Sequence, residues 1–92
     1  MKYDIVITNS CKKDIKLASK QGKNINLLFS VVDKLSEGKP LEPKYKDHKL
    51  SGNYAGMREC HIEPDFLLIY KIDNKAIVLY LVRVGSHSNL FE

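Results

Sequence analysis

Along residues 2–7 the side chains alternate, with Tyr3, Ile5 and Ile7 on one face and Lys2, Asp4 and Val6 on the other, the period of two that a half-buried strand requires. Thr8-Asn9-Ser10 then offers helix N-caps, and the period changes. From Ser10 to Gln21, Cys11, Ile15 and Ala18 recur at i, i+4 and i+7 while the lysines fall largely elsewhere, which predicts an amphipathic helix closed by Gly22. Asn24 opens a second helix in which Ile25, Leu28, Val32 and Leu35 repeat, with Gly38 and Pro40 beyond its end. So short a turn between the two predicts an antiparallel helical hairpin.

Residues 39–53 hold two prolines, a glycine and scattered charges without a period, and are predicted to form a long surface connection. Beyond it the pattern is that of strands. Tyr54 to Ile62 alternates, Pro64-Asp65 marks a turn, Phe66 to Ile72 is nearly continuous in apolar residues, Asp73-Asn74-Lys75 is a hairpin turn, and Ala76 to Val84 is apolar again. After Gly85 there is room only for a turn. The prediction is an α+β fold: an N-terminal strand, a helical hairpin, and a three-strand antiparallel meander, forming a four-stranded sheet with the helices on one face. Residues 1–92 are expected to be one domain, because a chain of 92 residues supports one hydrophobic core and no second module.

With 43% hydrophobic and 28% charged residues, and the apolar ones in short periodic runs, the chain reads as soluble and folded. No run approaches the roughly 20 apolar residues of a membrane span. The apolar stretch at the N-terminus carries Asp4 and is too brief for a signal peptide, so a cytoplasmic protein without a membrane partner is expected. Cys11 and Cys60 lie far apart with no C-x-x-C spacing, which supports neither a redox motif nor a zinc ribbon. The net charge of +4 is unevenly placed. Residues 1–46 carry ten lysines against five acids, a net +5, and residues 47–92 carry a net −1. The helical half therefore presents a basic surface suited to a polyanion such as RNA.

The candidate chemistry lies in the other half. On the strand before Pro64, period-two geometry puts Met57, Glu59 and His61 on one face and Arg58, Cys60 and Ile62 on the other. On the last strand the same rule groups Leu79, Leu81 and Arg83 against Val78, Tyr80, Val82 and Val84. The uncovered sheet face could thus present Glu59, His61 and Arg83, with Asp65 at the neighbouring turn and His87 just past a strand end. An imidazole, with an unperturbed pKa of about 6.5, both takes and gives a proton near neutrality. Imidazoles with a carboxylate to orient them and an arginine to hold charge on a phosphate are the parts needed to cleave RNA through its own 2′-hydroxyl, without a metal. Phe91 could stack on a base. The same residues admit plainer roles: Glu59 in a cross-strand pair, Arg83 in a structural ion pair, His48 on the surface, and Phe91 pinning the C-terminus. A zinc site from the three histidines with Asp65 or Cys60 lacks ligand spacing.

Three strings add a different kind of information. Tyr45-Lys46-Asp47-His48-Lys49-Leu50-Ser51-Gly52, Arg58-Glu59-Cys60-His61-Ile62-Glu63-Pro64-Asp65 followed by Leu68-Ile69-Tyr70-Lys71, and Arg83-Val84-Gly85-Ser86-His87-Ser88-Asn89-Leu90-Phe91 resemble the YafQ branch of the RelE superfamily of bacterial toxins. The Lys12-Lys13-Asp14-Ile15-Lys16-Leu17-Ala18 helix fits as well, so the resemblance covers nearly the whole chain. It implies a type II toxin: a ribosome-dependent mRNA endonuclease, with the ribosome and mRNA as partners and a cognate antitoxin as inhibitor. No cofactor or metal is implied, and no DNA binding by the toxin alone. Carried over by position, the active site would comprise His48, His61, Asp65, His87 and Phe91, with Arg83, Glu59 and Lys46 toward the substrate phosphate and Lys12, Lys13, Lys16 and Lys20 docking on ribosomal RNA. Relatives often have Asp where this chain has Glu59. In this scheme His87 and Asp65 transfer protons, His61 and His48 hold the phosphate or support those transfers, Arg83 meets transition-state charge, and Phe91 stacks on a base. The alternative is a module of the same fold that binds RNA or antitoxin without cutting.

Overall fold

A computed structural model describes residues 2–91. Its elements are β1 (Asp4–Ile7), α1 (Asn9–Lys20), α2 (Ile25–Ser36), β2 (His48–Lys49), β3 (Arg58–Glu63), β4 (Phe66–Asp73), β5 (Val78–Gly85) and α3 (His87–Phe91), with short 3-10 turns at Pro43–Tyr45 and Gly52–Tyr54. The caps fall where their chemistry demands. Thr8 Oγ1 accepts the Cys11 N–H at 3.0 Å to start α1, and donates to the Val82 carbonyl at 2.7 Å, fastening the helix to the sheet. Gly22, at φ +76°, stops α1, and Asn24 Oδ1 accepts the Leu27 N–H at 3.0 Å to start α2. α1 rests mainly on β5, whereas α2 meets both β3 and α1.

The fold class is α+β, as expected, but the sheet has five strands rather than four, in the order β1-β5-β4-β3-β2. β1 runs parallel to β5 and the other pairs are antiparallel. The additional strand, β2, comes out of the connection that lacked any period. It is two residues long and exposed, so no hydrophobic alternation could announce it, and it exists because His48 and Lys49 pair with Glu59 and Arg58. β5 starts later than its apolar run suggests, because Asp73 Oδ1 accepts both the Lys75 and Ala76 N–H groups at 3.0 Å and Ile77 turns to φ +57°. Ile5 shares its predicted face with Tyr3 and Ile7, yet it stays 40% exposed while they pack on the core, since β1 is an edge strand.

One sheet face carries Cys60, Ile62, Phe66, Leu68, Tyr70, Leu79, Leu81 and Val84, packed under Cys11, Ala18, Leu28, Val31, Val32 and Leu35 of the helices. Burying each large apolar side chain contributes roughly 1.5–3 kcal/mol, which makes this layer the principal source of stability. On the other face Leu90 of α3 covers Leu67 and Ile69, bordered by Leu50, Tyr54, Met57 and Val82. The unbroken apolar run of β4 thus reflects a strand buried on both sides.

A bulge corrects the expected grouping of β5. Tyr70 pairs with Leu81 and Ile69 with Arg83, so Val82 is an extra residue. Leu79 and Leu81 face the helices, whereas Arg83 is set opposite Ile69 on the other side and Val84 returns to the core. Without the bulge, period two would put Arg83 in the hydrophobic layer.

Candidate active site

Register lines up two rows across the face away from α1 and α2. One row runs His48, Glu59, Ile69, Arg83, and the next runs His61, Leu67, Gly85. Leu90 sits on Ile69 and Leu67, so the middle of both rows is apolar and the polar residues stand at its two sides.

On the β2–β3 side the centre is Glu59, only 3% exposed. Its Oε1 lies 3.4 Å from Nε2 of His48 and 3.4 Å from Nε2 of His61. The two rings are 6.3 Å apart between centroids. His48 Nδ1 is 2.7 Å from the Lys46 carbonyl, a group that only accepts, so Nδ1 carries a hydrogen and Nε2 is the nitrogen turned to the carboxylate. Lys46 presents that carbonyl from a left-handed conformation, φ +50°, and its own side chain is exposed. Glu59 Oε2 is buried without a hydrogen-bond partner. A buried carboxylate touching two imidazoles, themselves 49% and 23% exposed at the side chain, orients those rings and does not itself reach a ligand in solvent.

On the other side, Asp65 in the β3–β4 turn accepts the His87 backbone N–H on Oδ1 at 3.0 Å, fixing the start of α3. The His87 and Phe91 rings lie 4.9 Å apart on its exposed side, and Phe91 meets Tyr54 edge-on at 5.6 Å. Tyr54 in turn donates to the Leu90 carbonyl at 3.3 Å, so the tail is clamped while His87 and Phe91 remain at the surface.

Arg83 stands beside Tyr54 of this cluster, but its guanidinium is held chiefly by an acid of α1. Its Nε and Nη2 donate to the Asp14 carboxylate at 2.7 and 3.0 Å, and Asp14 Oδ2 also accepts the Val84 N–H at 3.2 Å, closing the β5 edge where β1 has ended. This pairing holds the Arg83 guanidinium above its ordinary range. Lys12, Lys13, Lys16 and Lys20 are all exposed on α1.

Sequence reasoning passed over Asp47. Its carboxylate accepts Arg58 Nε at 3.3 Å and Nη2 at 3.2 Å and the Tyr70 hydroxyl at 2.5 Å, tying the start of β2 to β3 and β4 one residue before His48. The available signal was its place next to His48 in a string already singled out. Asp14 was overlooked likewise, among the lysines of α1. Among the described residues, no group of three or more His, Cys, Asp or Glu side chains could hold a metal ion, and no helix is long and apolar enough to cross a membrane. A cleft of about 610 Å³ opens beside Tyr3, Leu41 and Ile72, with Asp47 and Arg58 on its wall and none of the three histidines in its lining.

Two helices on one face of a mixed five-stranded sheet form the architecture of solved YafQ toxins and are consistent with the RelE-like class of bacterial toxins. The family described as "Bacterial toxin of type II toxin-antitoxin system, YafQ" matches residues 3–92. The mRNA interferase toxin YafQ of Escherichia coli strain K12 is 42% identical over 89 residues, spanning 96% of this chain and 95% of the relative. Superposed on the crystal structure of the E. coli DinJ-YafQ toxin-antitoxin complex, the chain gives a TM-score of 0.89 at 39% identity and full coverage of both chains. Against a metal-bound toxin from Helicobacter pylori the TM-score is 0.91 at 46% identity, covering 97% of this chain and 99% of the other. This chain belongs to the YafQ family of type II toxin-antitoxin toxins.

Proposed function

We propose that this toxin is an mRNA interferase: an endoribonuclease that cuts messages on the ribosome in the cytoplasm, through attack of the RNA's own 2′-hydroxyl, and that a cognate antitoxin holds it inactive. The antitoxin partner is supported by the DinJ-bound state of its structural relative, and the activity by the name of its E. coli relative. The observation that carries the chemistry is the buried Glu59 carboxylate, whose Oε1 lies 3.4 Å from both His48 and His61.

In-line displacement at phosphorus needs one proton acceptor and one proton donor on opposite sides of the phosphate. The two margins of the sheet face supply them. His61 and Gly85 are two strands apart in one row, hence roughly 10 Å between backbones at about 4.8 Å per strand, a gap that two imidazole arms reach across. His48 and His61, oriented by Glu59, grip the phosphate and support proton transfer on one side. His87, placed by Asp65, works on the other, and Phe91 beside it stacks on a base. Arg83 keeps guanidinium hydrogens beyond those given to Asp14 and meets charge that develops on the phosphate. Lys46 lends a further positive charge to the phosphate. The exposed lysines of α1 dock on ribosomal RNA, and the toxin alone does not bind DNA.

The test is expression of wild type and His87→Ala in bacteria, with primer extension on a translated message. Wild type should arrest growth and cut only when ribosomes are present, and His87→Ala should do neither. Equal arrest by both proteins would refute catalysis through His87; equal cutting of naked RNA would refute ribosome dependence.

A further inference from the structure

A second cleft, of about 410 Å³, adjoins the histidine cluster, and neither the acid–base groups nor the lysine docking face accounts for it. β2 pairs only with Arg58 and Glu59, so from Cys60 onward the outer edge of β3 has no strand beside it. The Pro43–Tyr45 turn stands over that edge, and the cleft lies between them. Its walls are apolar, from Leu27 of α2, Ile62 of β3 and Pro64 of the following turn. Lys44 and Lys46 border it on one side, and Glu63 on another. His61 belongs to its lining as well as to the Glu59 cluster, so the cleft adjoins the acid–base site at that side chain, round the edge of β3.

We infer that this cleft is a nucleotide subsite, receiving the base next to the cleaved bond and preferring adenine, cytosine or guanine over uracil. The inference rests on the nuclease reading above. The volume lies within the roughly 300–1,000 Å³ usual for small-molecule sites and accommodates one nucleotide. Apolar walls suit the faces of a planar base, and two ammonium groups at the rim suit the flanking phosphates. The choice among bases comes from Glu63. Asn24 N–H occupies its Oε1 at 3.0 Å, leaving Oε2 to accept from a base. An ionised carboxylate offers only acceptors, so it favours an exocyclic amine, with two hydrogens to give, over uracil, whose single N3–H is flanked by two repelling carbonyl oxygens.

Two measurements test this. In the first, methyl-labelled protein is titrated with the deoxyadenosine and deoxyuridine dinucleotides, which lack the attacking hydroxyl. The Leu27 and Ile62 methyl resonances should shift with the adenosine form and at least tenfold more weakly with the uridine form. In the second, cut sites of wild type, Leu27→Trp and Glu63→Lys are mapped by primer extension on a translated message. Glu63→Lys should lose discrimination against uridine at least tenfold, and Leu27→Trp, which fills the cleft, should cut at least tenfold more slowly. Unmoved Leu27 and Ile62 methyls, or both variants cutting the same sites at the same relative rates as wild type, would overturn the subsite. A wild type that cuts nothing but shifts those methyls base-selectively would overturn the nuclease reading and retain the subsite.

Discussion

Replacing Asp47 by alanine tests the account of how the short edge strand β2, and with it His48, is held in place. The carboxylate has two partners in different surroundings. Tyr70 is 1% exposed, and its hydroxyl loses its acceptor on substitution, which costs about 1–3 kcal/mol for a buried group left unpaired. The Arg58 side chain is 34% exposed and solvent can take over its interaction, so that partner accounts for about 0.5–1 kcal/mol. Together the expected loss is about 3 kcal/mol, or a fall in Tm of roughly 12–24 °C for a domain of this size. Urea denaturation followed by far-ultraviolet circular dichroism measures it. The decisive comparison is the double variant Asp47→Ala/Tyr70→Phe. If the penalty comes from the stranded hydroxyl, removing that hydroxyl should recover about 1–2 kcal/mol relative to Asp47→Ala, although Tyr70→Phe alone destabilises the wild type. Simple addition of the two single losses would refute the reasoning.

Further outcomes follow from other contacts. Thr8→Ala removes both the cap on α1 and the bond to the Val82 carbonyl, and should cost about 1–2 kcal/mol in the same urea measurement. Burial raises both Cys11 and Cys60 from an ordinary 9.0 to about 12, so each thiol stabilises the fold fully below pH 9.0, and that contribution is lost as pH rises from 9.0 toward about 12. Stability should therefore fall above pH 9.0 by about 1.4 kcal/mol per pH unit for each thiol, and Cys60→Ala should flatten the decline by one proton; an unchanged slope would contradict the assignment. Replacing Lys12, Lys13, Lys16 and Lys20 together by alanine should weaken ribosome association and flatten its dependence on salt, measured by co-sedimentation from about 50 to 200 mM salt. A full salt dependence in that variant would move the docking surface elsewhere.

The local elements were legible because each is announced by neighbours in sequence. Thr8 and Asn24 are caps by their own side-chain chemistry, Gly22 ends a helix because it tolerates a positive φ, and the periods of α1, α2 and β3 state which face is buried. Glu59 and His61 were placed together by the two-residue repeat alone, and register supports that placement. β2 was not legible, since two exposed residues carry no pattern and are recruited by the edge of β3. Arg83 was expected on the uncovered face and lies there, but its parting from Leu79 and Leu81 was not legible, because a bulge arises from how two strands match over their whole length and reverses the alternation at Val82.

The order of caps, turns and apolar repeats thus determined β1, α1, α2 and the strands β3 to β5, the α+β class and the strand that bears Glu59 and His61, all matters of spacing within about ten residues; β2, and the short helix α3 where only a turn was expected, depend on pairing with β3 and with Asp65. Tertiary structure decided what pairs at long range: Asp47 with Tyr70, Asp14 with Arg83, Asp65 with His87, and His48 with Oε1 of Glu59. The physical reason is that a polar side chain's partner is chosen by the need to satisfy charge and hydrogen bonds once the sheet has closed. That need is set by distance in space, which no local period encodes.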